Sequence, residues 1–269
     1  DVANRGPTAV MSAFVGAPRE MWPDIIEWTN RIINANDPRV AGDQSAREVA
    51  GQAVGQMCGF YAGIFEDRQK NPRDDLMTAL VNARINGEPI GQNELYSWGI
   101  ILMTAGHETT QSMFGLGVHA LMQHPDQLAK LQANPQLLPS AIEELLRFVS
   151  PAVHFIRTPD RDVEVGGKKI RAGEHMVMFY PSANRDAEVF VDPDRLDIER
   201  SPNRHLAFGT GPHVCLGMHL ARLELKVMFE QFLRRVDRIE IAAEPERVYG
   251  IPTGGYKHFP VRMTVRTKA

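Results

Sequence analysis

The stretch "FGTGPHVCLG", residues 208–217, surrounds one of the two cysteines of the chain with three glycines. The run that follows, "MHLARLELKVMFEQFLRRV", has apolar residues at helical spacing, so Cys215 is predicted to lie where a loop becomes a helix. The unpaired amides and the dipole at a helix start stabilise a thiolate relative to a thiol. Glycine permits positive φ angles and a close approach to the backbone. The stretch therefore indicates a loop that presents an ionised sulfur to a planar or metallic partner.

The composition excludes several classes of protein. With 269 residues, 43% of them hydrophobic, the chain can bury one sizeable domain or two lobes. A formal net charge of −3 gives no electrostatic case for nucleic-acid binding. The two cysteines, Cys58 and Cys215, are far apart in sequence, which argues against a disulfide framework and favours a reducing compartment, the cytoplasm. The apolar run "SWGIILMTAG" is too short and too interrupted to span a bilayer.

Hydrophobic periodicity predicts a mainly α fold with small β-sheets. Residues 1–150 have the pattern of a helical body, whose centre is one long helix over 93–123 that is apolar on most sides. Alternating segments such as "DVEVGGKKIRAGEHMVMFY" predict β-hairpins within 151–212. A helix is expected over 213–235, after the cysteine loop, and strands are expected over 236–269.

Three interpretations of Cys215 are open on the residues alone. Most isolated cysteines are small apolar residues buried at a turn. Alternatively, His213, Cys215 and His219 have side chains of the metal-ligand type, although structural zinc requires four ligands and no fourth one lies nearby. The third interpretation is axial ligation of a haem iron by the thiolate.

A second motif, "AGHETT" at residues 105–110, lies inside the predicted long helix. Small residues and adjacent threonines are poor helix formers, and a threonine hydroxyl can bond back to a carbonyl and bend the helix. The simpler interpretation is close packing at Ala105 and Gly106, with Glu108 facing solvent. In the functional interpretation, the acid Glu108 and the hydroxyl of Thr109 relay protons.

A third motif, "EELLR" at residues 143–147, places Glu144 and Arg147 three residues apart on one helix face. Such a pair is usually a weak surface salt bridge. If the pair is buried instead, it requires bidentate bonds and partners for every remaining donor and acceptor.

Phe208, Gly211, Cys215 and Gly217 match Phe-x-x-Gly-x-x-x-Cys-x-Gly, the ligand-loop signature of the cytochrome P450 family. The chain resembles bacterial members of this family from about Trp22 to its end. Four stretches, "EWTNRIINANDP", "MVMFYPSANRD", "LDIERSPNRHLAFG" and "GGYKHFPV", are similar to the actinobacterial subgroup that oxidises sterol side chains and branched lipids. Family members carry a long further segment before the part similar to "APREMWPDIIEWTN". The chain is therefore expected to be a single cytochrome P450 domain that lacks its N-terminal segment.

The resemblance implies roles for individual residues. Cys215 would be the axial ligand of the iron of haem b, and other cofactor contacts would come from His213, Arg157, Phe208, Gly209, Gly211, Gly217, Ala105 and Gly106. "AGHETT" resembles the oxygen-activating segment, with Glu108 as the acid and Thr109 as the alcohol. Glu144 and Arg147 resemble the Glu-x-x-Arg pair of the family, and Arg195 would complete their buried triad. Substrate contacts would come from Val153, Phe155 and Thr253. For Arg157 the alternative is a solvated strand residue, and for Val153 and Phe155 it is ordinary core packing.

The function implied by the resemblance is that of a monooxygenase, which inserts one oxygen atom of O2 into an apolar substrate such as a steroid, a terpenoid or a branched or long-chain lipid. Electrons would come from NAD(P)H through a ferredoxin reductase and a ferredoxin, which would dock near Cys215 against Arg222 and neighbouring bases. Two alternatives are a non-catalytic haem-thiolate sensor and a helical fragment that does not retain haem.

Overall fold

The structure is a computed structural model that describes residues 2–249 and 253–266. The chain divides into two compact units. The first runs up to Ser112 and includes Val248 and Tyr249, and the second runs from Met113 to Arg247 and resumes at Thr253. The mainly α fold with small β-sheets is confirmed, since helices dominate and every sheet among the described residues has only two strands.

The described residues of the first unit form five helices, one β-hairpin and most of a sixth helix. The helices are α1 (Val2–Phe14), α2 (Trp22–Ile33), α3 (Pro38–Ala41), α4 (Ala46–Lys70), α5 (Leu76–Asn82) and α6 (Gln92–Gln123), with a 3-10 turn at Arg19–Met21. The hairpin pairs β1 (Arg84–Ile85) with β2 (Glu88–Pro89).

Helix α4 forms the centre of the first unit. It begins with a capping box, because the Ser45 hydroxyl accepts the amide hydrogen of Glu48 while the Glu48 carboxylate accepts that of Ser45. Its buried residues recur every four positions on one face, at Val49, Ala53, Met57, Tyr61 and Phe65.

Helix α6 lies against this face of α4 at a glycine. A Cβ on Gly99 would stand 2.9 Å from the ring of Tyr61, so a larger residue does not fit at this close approach. The contact fixes the part of α6 that carries residues 105–110.

In the second unit, the residues that the structure describes form the end of α6, four further helices and eight strands. The helices are α7 (Pro125–Ala133), α8 (Leu138–Val149), α9 (Tyr180–Ala183) and α10 (Met218–Arg235), with 3-10 turns at Pro135–Leu137 and Gly211–His213. The strands are β3 (His154–Arg157), β4 (Val163–Val165), β5 (Lys168–Ile170), β6 (Met176–Phe179), β7 (Val236–Ile241), β8 (Glu246–Arg247), β9 (Tyr256–His258) and β10 (Val261–Val265). Antiparallel pairs form between β3 and β6, β4 and β5, β7 and β10, and β8 and β9.

An aromatic cluster joins α10 to the end of α6. The rings of Phe114 and Phe229 lie 5.0 Å apart, and a Cβ on Gly117 would stand 2.9 Å from Phe229. Because small residues of α6 meet large residues of α10, the two helices pack closely and fix the position of the segment that starts α10.

The chain from residue 184 to residue 210 contains no strand or helix. This segment consists of turns and irregular chain, and it connects α9 to the cysteine loop. Of the strands predicted over 236–269, the parts at 250–252 and 267–269 lie outside the described residues. Among the residues that are described, no helix is both long enough and apolar enough to cross a membrane. The assignment of the whole chain to a single domain stays a prediction.

Candidate functional site

The Cys215 loop runs from Phe208 to Gly217 and ends at the start of α10. The backbone amide of Cys215 donates to the carbonyl of Phe208 at 2.8 Å, which closes the loop across its base. The 3-10 turn Gly211–His213 and a bond from the Val214 amide to the Gly211 carbonyl, 3.1 Å, shape the tip. The loop therefore has a defined backbone that presents the cysteine before the first turn of α10.

Two glycines with positive φ make this backbone possible. Gly209 has φ +70°, and a Cβ there would stand 3.4 Å from the Tyr180 hydroxyl. Gly211 has φ +68° and faces open space. An L side chain at either position would strain the loop, because this region of φ favours glycine.

The Cys215 sulfur belongs to a free, half-buried thiol. Burial is the largest influence and raises the pKa of this thiol above its ordinary value, although a hydrogen bond from the Gly217 amide and the positive charge of Arg222 act in the opposite direction. The expected preference for the thiolate at the helix start is therefore outweighed by burial in the free thiol. The adjacent Leu216 side chain is 77% exposed. The sulfur thus has an anion-stabilising amide and a nearby cation, and it is not sealed in an apolar core as the simplest interpretation requires.

The zinc interpretation is not supported by the geometry. His213 and His219 are both exposed. In the described part of the chain, no three His, Cys, Asp or Glu side chains lie close enough together to hold a metal ion. His213, Cys215 and His219 therefore do not form a three-ligand site.

The pair in "EELLR" is fully buried, with 0% of either side chain exposed. Arg147 donates from Nε and Nη2 to the two carboxylate oxygens of Glu144, both at 2.8 Å. Its remaining N–H groups donate to the carbonyls of Asn184, Pro193 and Arg195 at 2.7–3.1 Å. All five donors of the guanidinium have acceptors, so the usual surface salt bridge is excluded and the network ties α8 to the irregular chain before the cysteine loop.

The arginine that completes this network is Arg200, and the prediction of Arg195 was wrong. The Arg200 Nε lies 3.0 Å and 3.1 Å from the two Glu144 oxygens. Arg195 is exposed and contributes its main-chain carbonyl, which accepts from both Arg147 and Arg200. The Asp197 amide donates to Glu144 at 2.9 Å, and the Arg200 amide donates to the Asp197 carbonyl at 2.9 Å. This turn over 197–200 brings Arg200 to the same carboxylate.

The "AGHETT" segment lies in α6, within the first unit. Glu108 is buried, only 7% exposed, so it does not face solvent as the simpler interpretation expected. Burial raises the pKa of its carboxyl, and a hydrogen bond with Ser112 lowers it. The Thr109 hydroxyl donates to the Ala105 carbonyl at 2.7 Å. A buried acid and a half-buried hydroxyl thus occupy adjacent positions on the helix.

The opposite side of this segment packs against α1. A Cβ on Gly106 would stand 2.6 Å from the Met11 sulfur, so the close packing expected at Gly106 is present, whereas Ala105 is exposed. His107 Nε2 lies 2.8 Å from the Asn4 side-chain oxygen. Burial lowers the pKa of His107 to about 4, so the ring is neutral at pH 7.

Strand β3 and the chain near Thr253 carry the residues predicted to contact substrate. Phe155 is 51% exposed, which excludes ordinary core packing for its ring. Thr253 forms an isolated antiparallel bridge with Ala152, and the Gly254 amide donates to Pro151 at 2.7 Å. These bonds place the chain around Thr253 beside Val153, whose Cγ2 would be 3.3 Å from a Cβ on Gly254.

Comparison with known proteins decides the family. The model of the family "Cytochrome P450" matches residues 43–241. The chain belongs to the cytochrome P450 family. It is 36% identical to cytochrome P450-terp of a Pseudomonas species over 98% of this chain and 63% of that protein. It is 36% identical to a methyl-branched lipid omega-hydroxylase of Mycobacterium tuberculosis over 97% of this chain and 61% of that protein.

A solved cytochrome P450 has the same fold. The structure of CYP268A2 of Mycobacterium marinum in complex with pseudoionone matches with a TM-score of 0.91 and 34% identity, over 96% of this chain and 63% of that chain. This cytochrome P450 chain thus spans about three fifths of the length of the relatives that it matches.

Membership of the cytochrome P450 family implies haem b, and the residues of the Cys215 loop fit it. The sulfur belongs to a free, half-buried thiol that accepts a hydrogen bond from the Gly217 amide, and such a thiol could hold the haem iron. Arg157, half-buried on β3, donates to its neighbour Ile156 at 3.0 Å and has further donors for an anionic group. Nearby on β3, His154 Nδ1 is a buried polar atom with no hydrogen-bond partner among the described residues.

The structure brings the predicted residues together in two groups. Within the second unit, one loop carries Phe208, Gly209, Gly211, His213, Cys215 and Gly217. Within the first unit, one stretch of α6 carries Ala105, Gly106, Glu108 and Thr109. Sequence reasoning missed Arg200, His154 and Glu143, whose two carboxylate oxygens accept from Nε and Nη2 of Arg222, both at 2.7 Å. Glu143 is the first residue of the motif "EELLR", so the sequence pointed to it. In contrast, nothing in the local sequence pattern distinguishes Arg200 from Arg195.

Proposed function

We propose that this chain is the haem-bearing part of a cytochrome P450 monooxygenase that inserts one oxygen atom of O2 into an apolar substrate. The observation that carries the proposal is the free Cys215 thiol, held by a glycine-dependent loop at the start of α10 with the Gly217 amide on its sulfur. A metal ion displaces the proton of a thiol that coordinates it, so Cys215 would bind iron as the thiolate.

Cys215 would hold the haem iron through its sulfur, and bound haem would supply the iron that activates O2. The protein residues would provide the ligand, its support and the protons. The buried network of Glu144, Arg147 and Arg200 would keep the chain before the loop fixed, so that the sulfur stays in place when the cofactor binds.

Glu108 and Thr109 would supply protons for the activation of O2. Burial raises the pKa of the Glu108 carboxyl, which favours its protonated, proton-donating form more than exposure to water would. The Thr109 hydroxyl donates to the Ala105 carbonyl, and the lone pairs of its oxygen can accept a hydrogen bond from a neighbouring proton donor.

The substrate class follows from the exposed apolar side chains of the second unit and from the relatives. The exposed Phe155 ring and the Val153 side chain favour a terpenoid, a steroid or a branched or long-chain lipid. The similarity to a methyl-branched lipid omega-hydroxylase supports such a ligand. A ferredoxin, reduced by NAD(P)H through a ferredoxin reductase, would supply the electrons.

The test compares Cys215→Ser with the matched control Cys58→Ser, since both cysteines are free and half-buried. The unsubstituted chain and Cys58→Ser should bind haem and give the red-shifted absorption of the reduced carbonyl complex that a thiolate ligand produces. Cys215→Ser should lose that band. If the band persists in Cys215→Ser, the ligand assignment is wrong. If haem binds with the band but no product forms with O2 and a ferredoxin system, the protein is a haem-thiolate sensor.

A further inference from the structure

The short hairpin of strands β8 and β9 carries part of the motif "GGYKHFPV", residues 254–261, which the proposed function does not use. The two strands pair at only two positions, Arg247 with Tyr256 and Glu246 with His258, and the register shifts between them. A two-stranded hairpin of this length is at best marginally stable by itself in water. Contacts with other elements of the second unit must therefore hold it in place.

Tyr256 is bonded to helix α6 through a histidine. The Tyr256 hydroxyl oxygen lies 2.5 Å from Nδ1 of His119, which belongs to the end of α6 in the second unit. The two groups can bond in either tautomer of the ring, because a tyrosine hydroxyl both donates and accepts. Strand β9 therefore has a direct polar link to the long helix.

Aromatic and cationic side chains surround this hydrogen bond. The ring of Phe259 lies 5.2 Å from the ring of His119 and is stacked on the ring of Tyr256 at 5.0 Å. The guanidinium of Arg247 lies 5.2 Å from the centroid of the Tyr256 ring, which is the geometry of a cation–π contact. Removing the Tyr256 hydroxyl alone would therefore break the link to α6 and leave the ring packing in place.

The other end of the segment 253–256 is bonded to the chain before β3. The Gly254 amide donates to the Pro151 carbonyl at 2.7 Å, and a Cβ on Gly254 would stand 3.3 Å from Cγ2 of Val153. Thr253 forms an isolated antiparallel bridge with the residue between Pro151 and Val153. The segment is thus held at both ends, by the chain before β3 and by α6.

We propose that His119 and Tyr256 are positioning residues that determine substrate specificity: their bond holds Thr253 close to Val153 and so favours slim apolar chains over wide fused-ring substrates. The inference rests on the proposed function, in which Thr253 and Val153 contact the substrate. His119 and Tyr256 act through the backbone of the segment 253–256 and need not touch the substrate themselves.

The expected direction follows from the freedom of the backbone in this segment. Gly254 and Gly255 precede Tyr256, and glycine has more backbone freedom than any other residue. The link to α6 suppresses this freedom, because both ends of the segment are then fixed. Without the link, the segment can move away from Val153 and admit a wider ligand, whereas a slim ligand that already fits gains little.

The test uses Tyr256→Phe and two readouts. The first is amide hydrogen exchange of residues 253–258 in the full chain, which needs neither substrate nor turnover. The second is the ratio of the dissociation constants of testosterone, a wide ligand, and dodecanoic acid, a slim one, followed through the haem absorption of the loaded protein. We expect exchange about fivefold faster and a testosterone to dodecanoic acid ratio about threefold lower, because the segment loses one hydrogen bond.

Three further variants complete the design. His119→Asn keeps a polar side-chain atom near the position of Nδ1 and should retain most of the wild-type values. His119→Leu removes the bonding partner and should match Tyr256→Phe, and the two changes combined should add nothing further. Tyr249→Phe removes the hydroxyl of a tyrosine that is 60% exposed and should change neither readout.

The outcomes are distinguishable. If Tyr256→Phe matches Tyr249→Phe in both readouts, the positioning role is overturned. If exchange becomes faster but the ratio of dissociation constants keeps its wild-type value, the bond only stabilises the hairpin and the specificity role is wrong. If the ratio falls without faster exchange, the effect does not come from this segment and the inference is also wrong. If the wild-type chain gives no thiolate-ligated haem spectrum, the proposed function fails and the specificity role fails with it, whatever the exchange rates.

Discussion

Threonine 109 has a close counterpart on the same helix. Thr104 and Thr109 each donate a side-chain hydroxyl to the carbonyl four residues earlier, at 2.8 Å and 2.7 Å. They are both half-buried, so their effects on the helix itself should be equal. Only Thr109 adjoins the buried acid Glu108, and this difference isolates its chemical role.

We expect Thr109→Ala to bind haem normally but to divert electrons to peroxide, with product per electron pair falling by about tenfold, because a proton relay contributes at least that much. Thr104→Ala should keep the wild-type coupling. NAD(P)H consumption, peroxide and product are measured in parallel with a ferredoxin system. If Thr109→Ala and Thr104→Ala form the same amount of product per electron pair, Thr109 is not part of the proton relay.

At the residue scale, the sequence predicted where the motifs lie more accurately than which side chains bond to them. The burial of Glu108 follows from its place on a helix that is apolar on most sides, although its isolated pattern favoured solvent. Arg200 could not be predicted, because the chain from 184 to 210 has no periodicity from which to deduce which arginine faces inward.

At the scale of the elements, helix α8 and the irregular chain that follows α9 hold each other in place. Glu144 is fully buried, and its oxygens accept from Arg147, from Arg200, from the Asp197 amide and from the Asn203 amide group. Without a cation on either side, the buried carboxylate would be left partly unpaired, which is strongly unfavourable. The segment before the cysteine loop is therefore held by electrostatics and hydrogen bonds, not by regular secondary structure.

Arg200→Gln should lower the free energy of unfolding by about 2–3 kcal/mol, because it leaves Glu144 with one cation and removes the donor that the carbonyls of Val191 and Asp192 accept from. Arg195→Gln should change it by less than about 0.5 kcal/mol, since that side chain is exposed. Urea denaturation of the two variants measures the difference. If both variants lost the same free energy of unfolding, the Arg195 side chain would belong to the buried network after all.

For the whole molecule, one buried carboxyl on α10 makes stability depend on pH. Glu224 is 8% exposed, and its Oε2 has no hydrogen-bond partner within the described residues. Burial raises its pKa to about 7. Since the folded pKa lies above the ordinary value, the folded state binds the proton more tightly. The stabilisation that comes from this bound proton is therefore fully present below about pH 4.5 and is lost as pH rises through 7.

Glu224→Gln should therefore be more stable than the wild-type chain at pH 8, where the wild-type carboxylate is ionised without a partner, and the gain should vanish towards pH 4.5. Glu230→Gln, at an exposed position of the same helix, is the control and should show no such dependence. Unfolding midpoints in urea at several pH values provide the measurement. A constant difference across that range would contradict the assignment.

At the scale of the whole molecule, the sequence predicted the mainly α fold and the small sheets, because helical periodicity and Gly-Gly turns are local signals. It could not predict the missing hydrogen bond at Glu224 or the Glu143–Arg222 pair. Both depend on which faces of α8 and α10 meet, and this is settled by packing between elements far apart in the chain.

Two consecutive glutamates of α8 serve two different arginines, Arg147 and Arg222, because successive helical positions point about 100° apart. Inserting or deleting one residue just before them would swing both carboxylates away from their partners at once. Anyone building hybrids of this chain with a relative should therefore take residues 138–149 and 195–222 from the same parent. A crossover point between those stretches risks mismatching both pairs, however similar the parents are elsewhere.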